Sequence, residues 1–231
     1  MKVKIINNAK DATGIAVIID VFRAFTVEPY IIHNGAKKLI PVGDIERAYE
    51  YKRKDENCIL IGERGGRKQE GFDYGNSPSQ IQSVDFSEKT VVHTTSCGTQ
   101  GIVRAVNADE IITGSLVNAK AIAKYIIDKN AEEVSLVSMC RPGEVPAEED
   151  ELCAKYIKSL LENQLLDNIN EEIEQLKHTR GARFFDKTMQ EVFPEKDFYL
   201  CTELNKFDFV LRVNKDSDGV HYVEKINVYY K

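Results

Sequence analysis

The segment Gly-Ile-Ala-Val-Ile-Ile-Asp at 14–20 is apolar from its second residue to its sixth and stops at a carboxylate. A run without polar alternation is expected of a strand covered on both faces, since only flanking helices can bury every side chain. Asp20 therefore stands at a strand's carboxyl end. The pattern returns along the chain. Short apolar strands are read at 38–42, 58–61, 90–93, 110–113 and 133–139, with 1–6 as an edge strand. Helices are read between them at 21–34, 45–54, 100–106 and 118–128, the second capped by Asp44. Strand, loop and helix in repeated order over about 140 residues predict an α/β class, a layered α/β/α fold with a largely parallel or mixed sheet. Functional groups should gather beyond the carboxyl ends of such strands.

No linker, internal repeat or low-complexity segment divides the chain, so a single α/β domain over 1–231 is expected. Its motif-bearing core is 1–154, and 155–231 forms a C-terminal helical and hairpin extension packed on it. In that extension 152–169 and 171–177 read as helices, and Arg180-Gly181 breaks the pattern. A short helix is expected at 186–192, a turn or strand at 197–201, and a hairpin from 207–213 to 219–230.

Charge excludes several partners. With 31 Lys and Arg against 37 Asp and Glu, the net charge is -6, and no basic block offers the stripe that a phosphate backbone needs. No nucleic-acid partner is expected. Nor is a membrane, because the longest apolar runs fall far below the roughly 18 residues of a spanning helix. Five scattered cysteines without a Cys-x-x-Cys pair indicate neither a disulfide framework nor a zinc ribbon, so a reducing cytoplasm is the expected location. A homodimer is the default expectation for such an enzyme.

The stretch 61–78 places five glycines together with Glu63, Arg64, Arg67, Lys68, Glu70 and Asp73 on one loop after a strand. Structureless connections of this length tend to be functional, and glycine lets the backbone approach a ligand closely. Thr94-Thr95-Ser96-Cys97-Gly98-Thr99 forms another strand-to-helix turn, where backbone N–H groups and hydroxyls would cradle an anion. The same residues would also serve as ordinary helix caps. A third loop runs from Arg141 to Glu149-Asp150, whose acids could do no more than cap the following helix. Asp20 with Arg23, Glu63 with Arg64 and Arg141 with Glu149 and Asp150 thus put a carboxylate near an arginine on three loops, and Asn76 closes the glycine loop. Hydrolysis of a phosphate ester needs that mixture: hard oxygen ligands for Mg²⁺, guanidinium forks for anionic oxygens, and a route to an activated water.

At these residues the chain resembles the 2-phosphosulfolactate phosphatase family. The matching motifs are Val17-Ile18-Ile19-Asp20-Val21-Phe22-Arg23-Ala24, Gly62-Glu63-Arg64 through Gly71-Phe72-Asp73-Tyr74-Gly75-Asn76-Ser77-Pro78, Thr94-Thr95-Ser96 with Gly98-Thr99, and Glu149-Asp150-Glu151-Leu152-Cys153-Ala154. The resemblance implies a Mg²⁺-dependent phosphatase that cleaves 2-phospho-3-sulfolactate to 3-sulfolactate and phosphate on the route to coenzyme M. Two positions depart from the family pattern: Cys97 stands where asparagine is usual, and Phe25 interrupts an Arg-Ala-Thr motif. Cys97 is not expected to be a nucleophile, since Val103 stands where a Cys-x5-Arg phosphatase has arginine. Phe22 likewise excludes an Asp-x-Asp phosphoenzyme, which leaves water or a carboxylate of another kind as the nucleophile.

The expected catalytic set is Asp20, Arg64, Arg141 and Asp150, with Asp20, Glu149 and Asp150 as metal ligands and Glu63 in reserve. Substrate would meet Arg23, Asn76 and the turn Thr94, Thr95, Ser96, Cys97, Gly98 and Thr99. Two other classes stand beside this one. A non-catalytic binder of an acidic phosphorylated metabolite would use the arginines alone. A nucleotide-dependent transferase is disfavoured, because neither Gly-rich nucleotide fingerprint is present.

Overall fold

Every residue of the strand Ile15–Ile19 is buried, with Val17 and Ile19 in one core and Ala16 and Ile18 in another. The pleat sends successive side chains to opposite faces, and helices cover both, which is why the sequence shows no polar alternation. The computed structural model describes residues 1–139, 147–164 and 166–230. Among them nine strands form one sheet: β1 (Lys2–Ile6), β2 (Ile15–Ile19), β3 (Lys38–Pro41), β4 (Ile59–Gly62), β5 (Thr90–Thr94), β6 (Glu110–Gly114), β7 (Glu133–Ser138), β8 (Phe209–Lys215) and β9 (His221–Asn227). The helices described are α1 (Ala24–His33), α2 (Ile45–Lys54), α3 (Pro78–Ile81), α4 (Gly98–Arg104), α5 (Ala119–Asp128), α6 (Glu148–Leu161), α7 (Ile169–Leu176) and α8 (Glu195–Thr202).

The strand order is β1-β7-β2-β6-β8-β9-β3-β5-β4. One block, β1, β7, β2 and β6, is parallel, and so is a second, β3, β5 and β4. The C-terminal hairpin lies between them and joins them by antiparallel pairing at each step. β3 therefore runs opposite to β6. In a flat sheet the carboxyl ends of the two blocks would point apart. Twist of about 20–25° per strand over the five steps from β2 to β5 turns the second block by roughly 100–125°, which brings its carboxyl ends back toward that of β2.

Helices α5 and α6 pack on the Val17 and Ile19 face, while Ile102 of α4 joins the core behind Ala16 and Ile18. Across the other block, α1 buries Val27, Tyr30 and Ile31 against Leu39, Leu211 and Val223, and α2 sets Ala48 on the face of Ile40, Leu60 and Val92.

Three expected elements differ. The helix placed at 152–169 is α6, which begins at Glu148 and ends at Leu161. Asn163 stops it in a left-handed conformation (φ 52°), with Gln164 N–H donating to Ser159 O at 2.8 Å, a cap that asparagine supplies in place of glycine. At 186–192 there are turns instead of a helix, because Asp186 Oδ1 accepts from Thr188 N–H at 2.8 Å and offers the backbone a competing partner. The stretch at 197–201 is helical, part of α8, which starts directly after Pro194 with Glu195 and Asp197 in its first turn.

Candidate active site

A cavity of about 270 Å³ opens where β2, β4 and β5 end, lined by Asp20, Glu63, Asn76, Ser96, Cys97, Glu149 and Asp150, with Arg23, Arg180, Arg183 and Phe193. The twist of the sheet brings these strand ends together, and α6 closes the site by its acidic first turn.

Asp20 follows β2 directly and is 8% exposed. Its Oδ1 accepts from Ala24 N–H at 3.1 Å, tying the carboxylate to the start of α1. Gly98, at the start of α4, is where Asp20 fits: a Cβ there would lie 2.9 Å from Asp20 Oδ2. Asp150, 3% exposed, accepts from Val21 N–H at 2.7 Å and so fastens α6 to the end of β2. Burial pushes the Asp20 carboxyl up to about 6, with help from the negative charges of Glu63 and Glu149. Burial, then Glu149 and Asp20, holds Asp150 well above the usual carboxylate range, and Glu149 is raised mainly by burial.

Opposite these acids stand two arginines that no sequence motif marked. Arg180 and Arg183 lie on a 3-10 turn, Arg180–Phe184, whose Phe184 is buried against Phe22 and Phe193. Each reaches only to 4.0 Å from a Glu149 oxygen, with side chains 41% and 35% exposed. Among the described residues Arg183 Nε and Glu149 Oε2 are buried without hydrogen-bond partners. Burial lowers the Arg183 pKa while Glu149 opposes the change. Its guanidinium lies 5.0 Å from the centroid of Phe193, and that of Arg23 lies 4.8 Å from the same ring.

Several expected ligands also have structural partners. Arg23 borders the cavity, but its Nη1 donates to Asp197 Oδ2 at 2.7 Å and to Val192 O at 2.9 Å, and Nη2 donates to Gly66 O at 3.2 Å. Asp197 also accepts from Ser77 Oγ and Ser79 N–H, both at 2.9 Å, and so locks the end of the glycine loop. Arg64 donates to Glu63 O at 2.7 Å, Thr94 Oγ1 at 2.8 Å and Gly43 O at 3.3 Å, and it is not among the cavity-lining residues. Glu63 braces two loops: Ser96 N–H donates to its Oε1 at 2.7 Å, and Gly66 N–H to its Oε2 at 2.6 Å. Gly66 has φ 83°, and a Cβ there would sit 2.5 Å from Phe193, so the loop closes over that ring only with glycine.

Within the turn, Thr95 and Thr99 cap each other: Thr95 N–H donates to Thr99 Oγ1 at 3.1 Å, and Thr99 N–H to Thr95 Oγ1 at 3.2 Å. Ser96 and Cys97 face the cavity, while Thr94, Thr95 and Thr99 stand behind it. Phe25 is wholly buried behind Gly98 and does not shape the cavity wall. Arg141 lies outside the described residues.

The donor set fits Mg²⁺. Asp20, Glu149 and Asp150 offer hard oxygens, Glu149 Oε2 lacks a hydrogen-bond partner, and a cation would offset the cost of burying negative charge that raises all three pKa values. No ready-made cluster of three or more His, Cys, Asp or Glu ligands is found among the described residues, and Mg²⁺ needs only one or two carboxylates besides waters and substrate oxygens.

The sequence profile of the family described as 2-phosphosulpholactate phosphatase matches residues 2–216. The chain is 39% identical over 173 residues to a protein of Caldicellulosiruptor saccharolyticus named "Probable 2-phosphosulfolactate phosphatase", covering 73% of this chain and 71% of that one. Proteins of the same name from Bacillus subtilis and Thermoplasma acidophilum are 30% and 32% identical, covering 92% and 85% of this chain and 92% and 84% of theirs.

Proposed function

Because the chain belongs to the 2-phosphosulpholactate phosphatase family, we propose that this cavity hydrolyses the phosphate ester of a small polyanionic acid, with 2-phospho-3-sulfolactate the best candidate. One observation carries the reading: three buried carboxylates share a cavity with two arginines that come no closer than 4.0 Å to the Glu149 carboxylate, Arg183 having, among the described residues, only the Phe22 carbonyl, at 3.4 Å, as a hydrogen-bond acceptor. A volume of about 270 Å³ lies below the usual range for drug-sized ligands and suits a three-carbon acid.

Arg180 and Arg183 receive anionic oxygens, and Arg183 is oriented for this by the face of Phe193. Asp20, Glu149 and Asp150 would hold Mg²⁺, with Glu63 in reserve; when bound, the ion would polarise the phosphoryl group and offset its developing charge. One of these carboxylates, Asp20 or Asp150, is the candidate to orient or deprotonate the attacking water from a buried position beside the reacting group. Phe22, Phe193 and Met139 line the same cavity and restrict bulk water around the reacting group. A pure anion binder would gain nothing from three carboxylates beside its ligand. Cytoplasmic location belongs to the same reading, in keeping with the buried thiols Cys58, Cys153 and Cys201. Among the described residues no helix is long and apolar enough to cross a membrane.

The test is phosphate release by purified protein from 2-phospho-3-sulfolactate and a panel of other phospho-acids, with Mg²⁺ and with EDTA. Metal-dependent release, fastest with the most anionic substrates, is expected. No release from any member would overturn the reading.

A further inference from the structure

Behind the cavity wall runs a chain of buried polar side chains that the mechanism above does not use. Thr113 Oγ1 on β6 donates to Glu28 Oε2 on α1 at 3.0 Å, Glu28 Oε1 lies 3.1 Å from His93 Nδ1 on β5, and His93 Nε2 lies 3.2 Å from Asn76 Oδ1. Glu28 and His93 are wholly buried, and Asn76 is the member that reaches the cavity.

The proton inventory of this chain is restrictive. Glu28 Oε1 and His93 Nδ1 share one hydrogen across 3.1 Å. With the Asn76 amide assigned oxygen-first toward His93 at 3.2 Å, Nε2 of His93 is the donor, because an amide oxygen can only accept. The Asn76 amide is therefore held by its oxygen. That leaves its NH₂ group free of His93, and Asn76 is one of the residues that line the cavity.

We propose that His93 is a positioning residue that fixes the Asn76 amide so that Nδ2 donates to an anionic oxygen of the substrate. An amide free to turn over would offer its oxygen half the time and repel that group. The assignment rests on the phosphatase reading for the identity of the ligand, and it adds a neutral donor beside Arg180 and Arg183. Glu28 and Thr113 hold the imidazole in place from the opposite side, so the cavity's hydrogen-bonding pattern is set partly from within the sheet.

The experiment compares wild type with H93F, H93Q, N76A and the H93F/N76A double variant. It reads KM and kcat with 2-phospho-3-sulfolactate, thermal unfolding and, independently of turnover, the affinity for inorganic phosphate by calorimetry. H93F should raise KM and the phosphate Kd about tenfold or more with a smaller change in kcat. H93Q, whose amide N–H stands near the place of Nε2–H, should recover affinity to within about threefold of wild type. Added to N76A, H93F should cost less than about twofold more, since its effect passes through that amide. Unchanged affinity in H93F, or the full H93F loss persisting in the N76A background, would overturn the proposal. If H93F does not fold, N76D still accepts from Nε2–H but turns a carboxylate oxygen to the cavity; it should bind phosphate more weakly than N76A, and equal or tighter binding overturns the proposal. A wild type that binds phosphate yet hydrolyses no phospho-acid would sink the functional reading instead, while these binding comparisons stand.

Discussion

Asp150 Oδ1 accepts a hydrogen bond from Val21 N–H at 2.7 Å, so the acid in the first turn of α6 is fastened to the residue that follows Asp20. This contact combines a cap-like structural role with a place in the cavity, and substitution separates the two. D150N keeps an acceptor for Val21 N–H and removes a charge that raises the Asp20 and Glu149 energies, so it should fold at least as stably as wild type at pH 7.5. Its kcat should fall at least about 10²-fold if the charge performs metal or base work. D150A leaves the buried N–H unpaired and should cost about 1–3 kcal/mol of stability as well. A D150N enzyme within threefold of wild-type turnover would reduce Asp150 to a structural clamp.

Stability of the metal-free protein should fall as pH rises from about 4 to about 6. Asp20 titrates at 3.8 when unfolded and about 6 when folded, so in this window the folded state binds more protons and each step up in pH favours unfolding. Glu149 and Asp150, also raised, act in the same direction. The Asp20 contribution is about 2–3 kcal/mol, since a tenfold difference in proton affinity between the folded and unfolded chain is worth about 1.36 kcal/mol. Urea unfolding in EDTA at pH 4, 5 and 7.5 measures it. D20N should flatten the dependence, and a wild-type curve that rises with pH across this window contradicts the burial argument.

Mg²⁺ should raise the melting temperature at pH 7.5 more than at pH 5, because protonated carboxylates bind it poorly. E149Q and D20N should each remove most of that increment. Calorimetric Mg²⁺ binding unchanged in both variants would assign the metal to other ligands.

Truncation at Arg183 should act on substrate binding and spare the fold. R183A is expected to raise KM about 10–100-fold, the scale of a charge-assisted hydrogen bond lost. R183K should recover little, since lysine reproduces neither the fork nor the contact with Phe193. Arg180, more exposed, should show a smaller effect of the same kind. Unchanged KM in R180A/R183A would remove the pair from the substrate site.

By contrast, Arg23 and Asp197 form a buried ion pair at 2.7 Å that ties α8 to the end of β2 and, through Ser77, to the glycine loop. Removing one partner strands the other charge, so D197A should cost about 3–5 kcal/mol. Denaturant midpoints and m-values measure the loss; a change under about 1 kcal/mol would show that the pair is dispensable.

Local signals in the sequence were sufficient to place several of the residues that line the cavity. The apolar run before Asp20 placed that carboxylate at a strand end, the glycines of 62–75 marked a loop folded close to its neighbours, and the acids of 148–151 marked a helix start. Each depends on backbone conformation or on burial of adjacent residues, which a few positions encode. Ion-pair partners were not legible in this way. Arg23 and Arg64 look like substrate ligands from spacing alone, yet Asp197 and Gly66 O engage the first and Thr94 Oγ1 and Gly43 O the second, all distant in the chain and announced by nothing near 23 or 64. The two arginines that face the acids sit at 180 and 183, where the sequence showed only a break in helical periodicity.

Period and composition by themselves determined that this chain forms strands buried on both faces, alternating with helices, and that acids and glycines follow those strands. Tertiary structure decided which strand ends meet. The hairpin β8–β9 enters the middle of the sheet and reverses the direction of β3, β5 and β4, and accumulated twist then brings Glu63 and Ser96 around to Asp20. No local rule fixes that outcome, because strand order arises from which apolar faces bury one another across long sequence separations, and a site made at the junction of two blocks inherits its membership from that choice.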